Sequence, residues 1–125
     1  MIPANDSFDC PVALVMEGCP EVRAGLATQL CALGYVVVEA GDTAVALDLL
    51  FRLRGLALVV ASCGDQCAEG MAVVRTALRL GLACVVSADC EMVASDTRAL
   101  GAQVFDGPFP PTALLSLVAP VGAAA

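Results

Sequence analysis

The chain contains no histidine and no lysine, and its six cationic residues are all arginine. Without histidine there is no Ser-His-Asp or Cys-His catalysis, no imidazole metal ligand and no phosphohistidine. Without lysine there is no Schiff base and no P-loop lysine. Against those six arginines stand 13 acids, for a formal net charge of −7. So acidic a chain has no electrostatic footprint for nucleic acid or for an anionic membrane. It also lacks any apolar run of about 18 residues, so no membrane span is expected. The first residues have neither a basic nor a long apolar region, so no secretory signal is expected and the placement expected is cytoplasmic. These absences predict a protein that is not an enzyme.

What is present is apolar. Hydrophobic residues make up 59% of the 125 positions, well above the usual level for a soluble domain. That length suits one domain with one sizeable core, and such a composition leaves apolar surface to bury against a partner. Seven cysteines are many for this length: Cys10, Cys19, Cys31, Cys63, Cys67, Cys84 and Cys90. An odd count with no export signal predicts reduced thiols. Cys31 and Cys84 fall inside apolar patterns and are expected to pack as small core hydrophobes.

One unit recurs along the chain: a helical pattern, a glycine, then an apolar strand. It occurs at Leu33-Gly34-Tyr35, Arg54-Gly55-Leu56, Leu80-Gly81-Leu82 and Leu100-Gly101-Ala102. Expected strands are Val12 to Met16, Tyr35 to Glu39, Leu56 to Ser62, Leu82 to Ser87 and Ala102 to Phe105. Helices are expected from Pro20, with Val22, Leu26, Leu30 and Leu33 inward, and over Ala44 to Arg54, with Ala46, Leu49, Leu50 and Leu53 inward. Asp42-Thr43 reads as the N-cap of the second. Further helices are expected around Met71, Val74 and Leu78, from Cys90 to Leu100, and from Thr112 to Val118. Strands alternating with helices through short connections predict an α/β domain with a mostly parallel sheet, doubly wound rather than half a barrel.

The central stretch is Leu56-Ala57-Leu58-Val59-Val60-Ala61-Ser62, uncharged throughout, as in a strand buried on both faces. A polar loop follows, Cys63-Gly64-Asp65-Gln66-Cys67. In open α/β sheets ligands bind beyond the carboxyl ends of such strands.

Several segments, in order, resemble the receiver domain of bacterial two-component response regulators. Val15-Met16-Glu17-Gly18-Cys19-Pro20-Glu21-Val22-Arg23 is similar to that family's first strand and acidic turn. Leu33 to Asp42 is similar to its second strand, Ser87-Ala88 to the pair that ends strand four, and Gly101-Ala102 with Gly107-Pro108-Phe109 to its last strand and turn. The resemblance covers residues 11–119, with 1–10 as a lead-in and 120–125 as an Ala-rich tail. It implies a flavodoxin-like (βα)5 fold of strand order 2-1-3-4-5.

The family's phosphoryl chemistry uses an acidic pair holding Mg²⁺, an aspartate ending strand three, a hydroxyl after strand four and a lysine after strand five. Carried over residue by residue, the acidic pair becomes Glu17 and Gly18. The acceptor position, about eight residues before Gly70, becomes Ser62. The hydroxyl is kept as Ser87, the lysine position is Gly107, and the aromatic that partners the hydroxyl falls on Val104. A serine hydroxyl cannot form an acyl phosphate, so the resemblance implies a degenerate receiver, or pseudo-receiver, that works without phosphorylation and without a cofactor.

Other readings stay open. Asp65 is either a turn residue or a displaced acceptor, which would make the chain a phosphorylatable receiver. Glu17 with Asp65 or Asp106 is a weak candidate for a cation. Ser62 and Ser87 lack any base to activate them. Cys19, Cys63, Cys67 and Cys90 would lie near one sheet edge, as a thiol-based metal or redox sensor requires, although no second CxxC-type pair and no Lys or His accompanies them. Finally, Val45 and Leu47 lie off the expected core stripe. Met92, Val93, Leu100, Leu114, Leu115 and Leu117 make helix four and helix five more apolar than their lengths need. In receivers the helix 4–strand 5–helix 5 face contacts partners or a second copy, and this is the expected protein-binding or self-association surface.

Overall fold

The computed structural model describes residues 11–63, 67–88, 91–106, 109, 114, 115 and 118, with residues 63, 67–69 and 106 described by backbone alone. The elements are β1 (Val12–Met16), α1 (Pro20–Ala32), β2 (Val36–Ala40), α2 (Thr43–Arg52), β3 (Leu56–Cys63), α3 (Cys67–Arg79), β4 (Ala83–Ala88), α4 (Glu91–Ala99) and β5 (Gln103–Asp106). The five strands form one parallel sheet in the order β2-β1-β3-β4-β5. This is the doubly wound, flavodoxin-like arrangement. Of the last expected helix, Leu114 and Leu115 are helical, and the Val118 amide donates to the Leu114 carbonyl at 2.9 Å. The lead-in and the Ala-rich tail lie outside the described residues.

Alternation along the strands sorts side chains into two cores. Leu14, Met16, Val59, Ala61 and Val86 face α2, α3 and α4, where Leu50, Val73, Val74 and Ala77 meet them. Ala13, Val15, Leu58, Val60 and Val85 face α1 and the C-terminal segment, meeting Leu26, Leu30 and Leu114. Burial on both faces is why β3 carries no charge. The β1–β3 ladder slips by one residue: Val12 pairs with Leu56, but Ala13 pairs with Leu58. Ala57 is the extra residue, a bulge of a kind rare between parallel strands.

The repeated glycines end helices by a shared device. Gly34, Gly55, Gly81 and Gly101 all have positive φ, a region costly for other residues. At α1, α3 and α4 the glycine amide donates three residues back, to Cys31, Leu78 and Arg98. The following amide then reaches five residues back, to Leu30, Ala77 and Thr97. This is the Schellman pattern, which satisfies carbonyls left over at a helix end and turns the chain back into the sheet. α2 differs. It ends at Arg52, two residues earlier than expected, because Leu53 is already extended. Its start is as expected: Asp42 Oδ1 accepts from the Val45 amide at 2.9 Å.

Several residues sit elsewhere than the pattern predicts. Val22 is 41% exposed, since the buried stripe of α1 begins one turn later at Leu26. Gln29 takes part in that stripe instead, and its Oε1 accepts the buried Leu114 amide at 2.9 Å. Cys31, next to Leu30 on the helix, turns outward and is exposed, whereas Cys84 is buried. Leu47 packs against the larger core. Val93 and Leu114 do not belong to an outer face: Val93 lies on the α4 stripe with Ala94 and Thr97, and Leu114 is fully enclosed in the smaller core. Met92, Leu100 and Leu115 are exposed.

The backbone geometry predicts opposite signs for one chemical change. Gly25 lies inside α1 and Gly81 in a left-handed turn, and both have open space where a Cβ would go. Gly25→Ala should therefore stabilise by about 0.5–1 kcal/mol, and Gly81→Ala should destabilise by about 1–2 kcal/mol. Urea unfolding midpoints check both.

Candidate functional site

The β1–β3 register pairs Met16 with Ala61, so the next residues on each chain, Glu17 and Ser62, face one another beyond the apolar core. Alternation places both on the α1 side of the sheet. On the other flank Ser62 pairs with Ser87, and Ser87 pairs with Phe105. Four neighbouring strands thus bring a carboxylate, two hydroxyls and an aromatic ring to one edge.

The contacts there are specific. Ser62 Oγ donates to Glu17 Oε1 at 2.6 Å, and the Cys19 amide donates to Glu17 Oε2 at 2.9 Å. Both carboxylate oxygens are therefore engaged by protein donors. Glu17's own amide extends the β1–β2 ladder by donating to the Ala40 carbonyl at 3.1 Å. Its carbonyl accepts Arg23 Nη1 at 2.8 Å, while Arg23 Nε donates to Glu39 Oε1 at 3.2 Å. Arg23 is largely covered and Glu39 is 46% exposed on its side chain, so the ion pair itself contributes under about 1 kcal/mol. The charged bond from Ser62 to Glu17, which is part-buried, is of the stronger kind, about 1.5–3 kcal/mol.

No protein-family profile matches the sequence, and no curated protein does. Solved structures do match the fold. A response regulator receiver protein from Pseudomonas putida superposes with a TM-score of 0.73 at 25% identity, over 86% of this chain and 94% of that one. The chemotaxis protein CheY4 of Vibrio cholerae gives 0.71 at 18% identity, over 86% and 95%. A response regulator from Thermotoga maritima gives 0.72 at 18%, over 86% and 93%. The fold is that of response-regulator receiver domains. Its strand order is the one the family resemblance implied.

The receiver fold implies a magnesium ion at this edge, and the described residues do not fit one. Mg²⁺ takes near-octahedral oxygen coordination, keeping several waters and drawing on one or two carboxylates with other oxygens. Glu17 offers two oxygens that each already accept a hydrogen bond, and Gly18 offers no side chain. Among the described residues, no three Cys, Asp or Glu side chains converge on a common point.

Of the sequence candidates, Glu17, Gly18, Ser62 and Ser87 come to one edge. Ser87 is buried at 4% exposure. Val104 pairs with Val86 and packs against the larger core, and the aromatic in register with Ser87 is Phe105, whose ring lies 6.1 Å from that of Phe109. Cys19 is exposed at the N-cap of α1. Gly107, Asp65 and Cys90 lie outside the described residues, as do the side chains of Cys63, Cys67 and Asp106, so the proposed thiol cluster is represented by Cys19 alone.

Sequence reading did not single out Arg23. A signal was nonetheless available, because a cation in the first turn of a helix opposes the helix dipole unless something local offsets it. Glu39 and the Glu17 carbonyl supply that offset. No helix among the described residues is long and apolar enough to cross a membrane.

The Ser62–Glu17 contact predicts a charge effect separable from shape. Ser62→Asp places a second carboxylate against Glu17, whereas Ser62→Asn keeps the size and a donor. The Asp variant should unfold at lower urea than the Asn variant at neutral pH, by about 1–3 kcal/mol. Equal midpoints would show that Ser62 does not face the carboxylate in solution.

Proposed function

We propose that the chain is a receiver-like signalling module that works by protein–protein contact and not by phosphoryl transfer. The observation that carries this is Ser62. On the receiver fold it holds the place where the family resemblance expects the acceptor aspartate, and its hydroxyl is bound to Glu17 at 2.6 Å. A hydroxyl there supplies no carboxylate to become an acyl phosphate. Gly18 in place of a second acid, and Gly107 in place of a lysine, point the same way. The contact surface proposed is the helix 4–strand 5–helix 5 face, reduced to its exposed residues Met92 (71%), Leu100 and Leu115. Val93 and Leu114, expected on that face, are buried in the larger and the smaller core respectively. The partner is another protein or a second copy of this chain.

Incubation with acetyl phosphate and Mg²⁺, read by intact mass and by light scattering on the same sample, tests this. The expected result is no added phosphoryl mass and an assembly state unchanged by the treatment. A phosphorylated product would overturn it, and mapping the product to Asp65 would establish the displaced-acceptor alternative.

A further inference from the structure

The misfit between the carboxyl edge and a divalent cation has a structural counterpart. A metal in such a place does two things: it neutralises carboxylate charge, and it ties a loop to the strand ends through oxygen ligands. Here the tying has other agents, and the turn carries a cation of its own. Ser62 Oγ and the Cys19 amide each hold one oxygen of Glu17, at 2.6 and 2.9 Å. Arg23 brings a permanent cation, pinned at 2.8 Å to the Glu17 carbonyl and at 3.2 Å to Glu39, which immediately precedes the end of β2. The guanidinium therefore ties the β1–α1 turn to β2, while Ser62 ties it to β3.

Room for this comes from Gly41, where a Cβ would lie 3.0 Å from Arg23 Nη1. The donors come from two stretches of chain, residues 19–23 and Ser62, and close on one residue.

We infer that Ser62, Arg23 and the Cys19 amide form a cation-independent clasp on Glu17 that holds the β1–α1 turn in one arrangement. The clasp takes over the tying that a bound metal would otherwise do and leaves both Glu17 carboxylate oxygens engaged. The site is thus a fixed strut and not a switch, and any partner meets this edge in a single state. This rests on reading Ser62 as a non-acceptor, and extends it to how the site is held.

The test pairs thermal unfolding in EDTA and in millimolar MgCl₂ with amide exchange at Cys19, for wild type, Ser62→Ala, Ser62→Thr and Arg23→Met. Wild type should show one Tm in both solutions. Exchange at Cys19 should rise roughly tenfold in Ser62→Ala, rise in Arg23→Met, and stay slow in Ser62→Thr, which keeps the hydroxyl. A wild-type Tm raised by MgCl₂ would overturn the clasp, and so would Cys19 exchange that is the same in wild type and Ser62→Ala. The cation arm uses wild type alone, so it decides even if a variant does not fold. A wild-type chain that takes no phosphoryl group yet gains stability from MgCl₂ loses the clasp and keeps the non-acceptor reading.

Discussion

The ladder between β1 and β3 decides which side chains meet at the carboxyl edge, and one extra residue decides the ladder. Were Val12 and Leu56 continued without a slip, Leu14 would pair with Leu58, although the first faces the larger core and the second the smaller. Paired residues of a parallel sheet share a face, so that register would bury nothing consistently. Inserting Ala57 restores agreement: Leu14 meets Val59, Val15 meets Val60, and Met16 meets Ala61. The same slip sets Glu17, and not Gly18, opposite Ser62. The polar contact at the edge is thus a consequence of how the core packs.

From that register the rest follows in layers. Two cores form on the two faces of β3, and three helices turn back into the sheet through the same glycine-dependent hydrogen-bond pair. The edge is then closed by hydrogen bonds to Glu17 and by Arg23 reaching from the first turn of α1 to Glu39. On the proposed reading, chemistry has been exchanged for fixation: the residues that would hold a metal and a phosphoryl group are replaced by donors that hold each other. What the fold then offers to other molecules is surface, Met92 and Phe51 being equally the most exposed large apolar residues among those described.

Much of the fold was legible in the sequence because its signals are local. The strand Val12–Met16 coincides with expectation, and each glycine of the helix–glycine–strand repeat takes the left-handed conformation the repeat implies. Tertiary packing produced the differences. Val22 and Cys31 are apolar in sequence yet outside, because a helix buries only the stripe its docking selects; Gln29 is polar yet inside, because the Leu114 amide needs an acceptor there. The candidate site was partly legible: Glu17, Ser62 and Ser87 were identified through the resemblance and do converge. Arg23 and the Ala57 bulge were not, because their meaning depends on contacts between residues distant along the chain.

Selective line broadening by Mn²⁺ tests the central claim most directly, since Mn²⁺ favours the same carboxylate and water oxygens as Mg²⁺. With Glu17 held by Ser62 and Cys19, the backbone amide signals of Glu17, Gly18 and Ser62 should keep their linewidths as Mn²⁺ is added, apart from the uniform effect seen across the surface. Preferential loss of those three signals at low Mn²⁺ would show an open cation site at this edge and contradict the account.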